Sequence, residues 1–132
     1  MKFYVLNTNM QWNRQCDIDM LNEHKASAYG LPYGKNIMKL EQGDKVFLYR
    51  NKDGIIAYGI ADGNLKTKQF IFNEIAYDEY FMQLDNFIIL RSPLPPSKMR
   101  CLSNNLAFSR TMYTIDSESG NLFVEEINKN YI

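Results

Sequence analysis

The chain has 132 residues, with 15 Lys and Arg balancing 15 Asp and Glu, 45% hydrophobic and 23% charged residues. That length buries one core and makes a single domain, residues 1–132, without help from disulfides or metal. A net charge of zero excludes a protein that holds polyanions by bulk electrostatics alone, and the ordinary apolar fraction excludes wholesale disorder.

Lys2 to Thr8 has strand composition and opens the fold, followed by a polar stretch, Asn9-Met10-Gln11-Trp12-Asn13, that carries one large aromatic. Asp17 to His24, with acids in its first turn, reads as a short helix, and Ala26 to Gly30 as its end, with Gly30 in the left-handed cap position. Leu31 to Lys35 is a loop, and Asn36 to Leu40 leads into the clearest signal of the chain. There, Gly43-Asp44 makes a turn, Val46 to Tyr49 is β-branched and aromatic, Asn51-Lys52-Asp53-Gly54 closes a hairpin, and Ile55 to Ile60 returns as an apolar strand. A hairpin this apolar requires burial on both faces, which a small barrel provides by filling its interior from one face and covering the other with helices.

Beyond Gly63, Lys66 to Ile71 reads as a strand, and the spacing of Glu74 to Leu84 predicts a short helix. Asn86 to Arg91 is a strand that Pro93, Pro95 and Pro96 end, and Ser97 to Leu102 fits a brief helix capped by Ser97. Met112 to Ile115, a turn at Ser117 to Gly120 and Leu122 to Ile127 then read as a second hairpin. The expected fold is α+β, a small barrel of five or six strands with two or three short helices.

No apolar run approaches the roughly 18 residues of a membrane span, and Met1 to Leu6 turns polar too soon for a signal peptide, so a cytoplasmic protein without membrane contact is expected. Cys16 and Cys101 lack CxxC spacing, and His24 is the sole histidine, which gives no zinc ligand set, disulfide framework or Cys-His nucleophile pair. Asp17, Asp19, Asp44 and Asp53 are explained by helix starts and turns. No Gly-rich phosphate loop is present, so neither an enzyme nor a cofactor is expected.

The first strand followed by Trp12, Ala28-Tyr29-Gly30, Ile37-x-x-Leu40-x-x-Gly43-Asp44-Lys45-Val46-Phe47-Leu48-Tyr49, and Gly54-Ile55-Ile56-Ala57-Tyr58-Gly59 together resemble the PUA-like superfamily, with its EVE and YTH branch fitting best. Ser97 to Leu102, Asn104-Asn105 and Ser109-Arg110 are similar in placement to the Asn-rich, Ser-Arg-containing segment of YTH-like domains. The resemblance implies a nucleic-acid-binding domain that accepts a single flipped or modified base in an aromatic pocket on the barrel. YTH-type readers use more than one tryptophan in that cage. This chain has only Trp12, so tyrosine or phenylalanine must supply the other walls.

In this light Trp12, with Asn13 beside it, Tyr29 and Tyr33 flanking flexible Gly30 and Gly34, and Tyr49 on its strand are the candidate base-pocket residues. From Arg91 to Ile115 there is no acid, and Lys98, Arg100 and Arg110 are candidate phosphate contacts, with Ser109, Asn104 and Asn105 as neutral donors. The partner expected is DNA or RNA, read at a base. Two other readings stay open at this level: a pocket that senses a free nucleobase or nucleotide, and a non-catalytic protein-interaction module of a defence or phage-related system.

Overall fold

The computed structural model describes residues 1–132. Its elements run β1 (Phe3–Asn7), α1 (Arg14–Glu23), β2 (Lys25–Tyr29), α2 (Lys35–Met38), β3 (Lys45–Arg50), β4 (Gly54–Ala61), β5 (Lys66–Phe72), β6 (Ile75–Leu94), α3 (Pro96–Leu102), β7 (Met112–Ile115) and α4 (Ser117–Asn130). The strands form one curled sheet, a half-barrel in the order β2-β6-β4-β3-β1-β7, with β5 paired to the first part of β6. This is the α+β small-barrel architecture that the apolar hairpin implies.

Both faces of the sheet are buried, and the alternation of side chains along each strand divides the core in two. Tyr4 and Leu6 of β1 and Val46 and Leu48 of β3 pack into one core with Cys16 and Met20 of α1 and Ile37 of α2. Phe3, Val5, Phe47 and Tyr49, the intervening residues, pack into the other with Met99 of α3 and Phe123 and Ile127 of α4. The β3–β4 hairpin stands where the sequence places it, with a bulge between Leu48 and Tyr49.

Three segments depart from the sequence reading. Glu74 to Leu84 is not a helix but part of the 20-residue strand β6. Asn73 and Glu74 both take positive φ, 51° and 63°, and make a tight hairpin turn that sets Ile75, Tyr77 and Phe81 opposite β5. Leu122 to Ile127 is not a strand but the body of α4. Asp116 caps that helix by accepting from the Ser119 N–H at 3.0 Å, and Phe123 and Ile127, four residues apart, turn to one face against the sheet. Gly120, read as a turn residue, lies so close to the Phe3 ring that a Cβ there would overlap it.

The third departure is Ala26 to Tyr29, which belongs to strand β2. The first helix ends earlier, at His24, which takes the left-handed conformation (φ 53°) and donates its N–H to the Met20 carbonyl. Gly30 has the expected positive φ, 69°, but it closes a strand. Two smaller differences concern helices. The one-turn helix α2 begins at Lys35, the last residue of the expected loop, and takes up Asn36 to Met38, and α3 starts on Pro95 and Pro96, with Ser97 inside the helix and making no cap hydrogen bond.

Candidate functional site

Trp12 stands on the loop between β1 and α1, whose path is held by its own polar backbone. Asn9 takes a left-handed φ of 61°, its N–H donates to Asn7 Oδ1 at 2.8 Å, and its carbonyl accepts from the N–H groups of Trp12 and Asn13 at 3.0 and 2.9 Å. Asn13 is the N-cap of α1, its Oδ1 accepting from the Gln15 N–H at 2.8 Å. Asp17, read from sequence as a helix-start acid, faces the interior and ties the loop down: it accepts from Thr8 Oγ1 at 2.6 Å and is held by Arg50 at 2.8 Å.

The indole packs against four rings, Tyr29 at 5.6 Å, Phe70 at 6.0 Å, and Phe72 and Tyr77 nearly edge-on at 5.4 and 5.2 Å. It still leaves 40% of its surface open. The open part faces a cleft of about 500 Å³ lined by Asn9, Trp12, Tyr29, Tyr33, Tyr77, Ser109 and Thr111. Aromatic rings supply one set of walls. Asn9, Ser109 and Thr111 bring amide and hydroxyl groups, which both donate and accept hydrogen bonds. No carboxylate, ammonium, guanidinium or imidazole group lines the cleft.

Behind Tyr29 lies a closed polar cluster. Lys25 and Glu79, both with fully buried side chains, pair at 2.7 Å, Ser27 Oγ donates to Glu79 at 2.8 Å, and Lys25 also reaches Glu23 at 3.1 Å. Burial alone would lower the Lys25 pKa, but Glu79 and Glu23 overcome it and hold the ammonium above the ordinary lysine value. Burial raises the Tyr29 hydroxyl well above the ordinary phenol range and pushes the Cys16 thiol up to about 11. The Tyr29 hydroxyl and Glu79 Oε1 are buried without a hydrogen-bond partner in the protein. This cluster joins β2, which carries Tyr29, to β6.

The structure gathers some of the candidate residues and separates others. Trp12, Tyr29, Tyr33 and Ser109 line one cleft; Asn13 is not part of its lining and serves as the cap of α1, and Arg110 is exposed next to Ser109. Tyr49 is elsewhere: it is buried in the opposite core and stacked on Phe108 at 5.1 Å, because strand alternation turns it away from Leu48. Lys98 pairs with Glu126 at 3.9 Å, and the Arg100 guanidinium lies over the Phe108 ring at 5.1 Å. Asn104 and Asn105 line a second cleft of about 320 Å³ that also holds Asp116 and Glu118, carboxylates that repel phosphate.

The sequence reading did not single out Tyr77 or Thr111 and named Asn9 only as part of the polar setting of Trp12. Tyr77 lay in the segment read as helix. The signal that could have found it is the alternation of Ile75, Tyr77, Glu79 and Phe81 after an Asn-Glu turn.

Taken together, the fold defines a small PUA-like barrel domain with an open aromatic cleft. No family model matches the sequence, and no curated protein matches it. Among solved structures, the chain is similar to the ASCH protein from Zymomonas mobilis. One single-residue variant of that protein superposes with a TM-score of 0.64 at 9% identity, over 95% of this chain and 98% of the other. The unsubstituted form gives 0.61 at 8% identity, over 94% of each chain. Rpa0253 from Rhodopseudomonas palustris gives 0.62 at 8% identity, over 98% of this chain and 95% of the other. At such identities the likeness establishes the fold, which is that of ASCH and PUA-like proteins, and it does not single out the EVE and YTH branch.

Proposed function

We propose that this chain is a non-catalytic nucleic-acid-binding module that seats a single base in the cleft walled by Trp12, Tyr29, Tyr33 and Tyr77. The observation that carries the reading is an indole left 40% open at an uncharged aromatic cleft, where burial in the core would be the more stabilising use of its surface. A cleft of about 500 Å³ is within the range that holds small ligands. A base stacked on an aromatic face gains about 1–3 kcal/mol. Asn9, Ser109 and Thr111 can hydrogen-bond to its edge, and a methyl on the base would add about 0.8 kcal/mol of apolar burial.

The test is fluorescence anisotropy with labelled oligonucleotides, plain and methylated, at low salt. Trp12→Ala is expected to weaken binding about 5- to 150-fold, the equivalent of one lost stack. Absence of binding to every oligonucleotide, or unchanged affinity in Trp12→Ala, rejects the reading.

A second reading, a sensor of a free nucleobase or nucleoside, is favoured by the absence of any charged side chain in the cleft. In a thermal-shift series it predicts that a nucleoside stabilises the protein as much as an oligonucleotide carrying the same base.

A further inference from the structure

The segments that build the cleft treat their acids and their bases differently. Asp17 is engaged by Arg50 and Thr8, Asp19 accepts from Gln15 Nε2 at 2.7 Å, Glu23 bridges Lys25 and Lys68, Asp78 accepts from Gln69, and Glu79 holds Lys25 and Ser27. Every acid of α1, and Asp78 and Glu79 directly after Tyr77 on β6, are therefore engaged by a partner within the chain, whereas Asp85, eight residues beyond Tyr77, is exposed. Glu74 is in the hairpin turn, three residues before Tyr77.

The exposed cations of the same segments are in the opposite condition. Arg14 lies two residues beyond Trp12, Lys35 two residues beyond Tyr33, and Arg110 between Ser109 and Thr111. All three are exposed, and none has a carboxylate within 4.0 Å. Three separate stretches of chain thus each bring one free positive charge beside a residue of an uncharged cleft.

We infer that Arg14, Lys35 and Arg110 hold the phosphates of a single-stranded polynucleotide whose base occupies the cleft, an inference that rests on the base-seating reading above. The division of labour follows from the chemistry. A neutral aromatic cleft suits a base and has nothing to offer a phosphate, whereas a guanidinium or ammonium on the rim pairs with phosphate oxygens. A single strand offers its bases already unpaired, while a duplex must first give up the stacking and pairing of the base that enters. Local free cations on a protein of zero net charge make strand binding depend on salt, although the whole molecule does not attract polyanions.

The experiment measures affinity for mixed-sequence single-stranded 12-mers of RNA and of DNA, for the matching duplexes, and for free nucleosides, over a series of salt concentrations. Three phosphate contacts on a single strand predict a slope of log K against log salt of about −2, at roughly 0.7 per contact. Each of Arg14→Gln, Lys35→Gln and Arg110→Gln is expected to flatten that slope by about 0.7 and to leave nucleoside affinity and the melting temperature unchanged. Lys98→Gln, at a cation already paired with Glu126, should leave the slope as it is.

A slope unaffected by the three rim substitutions overturns the inference. So does a duplex that binds as tightly as the single strand. A nucleoside that binds as tightly as the 12-mer removes the phosphate contacts but leaves the base cleft standing. Unaltered nucleoside binding in Trp12→Ala overturns the base cleft instead, so the two failures are distinct.

Discussion

Arg50 on β3 grips Asp17 on α1 through two charge-assisted hydrogen bonds, Nε to Oδ2 at 3.0 Å and Nη2 to Oδ1 at 2.8 Å, with the carboxylate almost wholly buried. Thr8 donates to the same carboxylate, so one acid joins β1, α1 and β3 on either side of the loop that presents Trp12. Asp17→Ala would leave the Arg50 charge facing a desolvated site. Because the Arg50 side chain keeps 24% of its surface in solvent, the expected loss is about 2–4 kcal/mol, below that of a fully enclosed pair. Urea unfolding should show a lower midpoint with an unchanged slope, and Trp12 fluorescence in the folded state should shift to longer wavelength as the loop loosens.

Gly34 precedes α2 with ordinary helical backbone, so its lack of a side chain answers to packing alone. A Cβ placed there overlaps the ring of Tyr80 on β6. Gly34→Ala should therefore cost about 1–3 kcal/mol by overpacking and move its neighbour Tyr33 at the cleft. Thermal melting reads the first effect, and a fall in ligand affinity larger than that of Tyr33→Phe reads the second.

Cys16 is buried and Cys101 is exposed. At pH 8 a disulfide reagent is expected to modify one thiol per chain quickly, and Cys101→Ser should abolish that fast phase while Cys16→Ser leaves it intact. Burial raises the Cys16 thiol from 9.0 to about 11 in the folded protein. The unfolded chain therefore loses this proton first as pH rises, and the associated stability, complete below about pH 9, declines up to about pH 11. Cys16→Ala should make the melting temperature fall less steeply across that window.

Asp116 accepts from Ser119 Oγ at 2.7 Å and from the Ser119 N–H at 3.0 Å, and these bonds hold its carboxyl below the ordinary aspartate value. A lowered pKa contributes stability above the unfolded value of roughly 3.9, and that contribution is lost as pH falls through the folded value. Asp116→Ala should melt below the unsubstituted protein at neutral pH, and the two curves should converge in strong acid.

How far the sequence reading reached depends on the kind of signal each segment carries. The β3–β4 hairpin was legible because its turn residues and apolar runs agree, whereas β6 runs past Arg91 and through Pro93 to Leu94, so that only Pro95 and Pro96 stand at its end. Leu122 to Ile127 was not, because Leu122, Phe123, Val124 and Ile127 in so short a window suit a strand or a helix equally well. The cap at Asp116 and the fit of Gly120 against Phe3 decided for the helix. Trp12, Tyr29 and Tyr33 were identified by the polar and glycine-rich stretches around them. Tyr49 was misplaced because its inclusion depended on which face of β3 it occupies, and a chain read alone does not give that face.

What the residues determined unaided was local: turns at Gly43-Asp44 and Asn51 to Gly54, strands dense in apolar side chains, and hence a sheet covered on both sides. Those features depend on backbone preference and on alternation within one segment. Which rings share a cleft, which acids are consumed by internal partners and which cations stay free were decided only when distant segments met. Trp12 comes from one end of the chain, Tyr77 from the middle and Ser109 from near the other end, and their encounter is fixed by strand register and core packing, which belong to the folded chain as a whole.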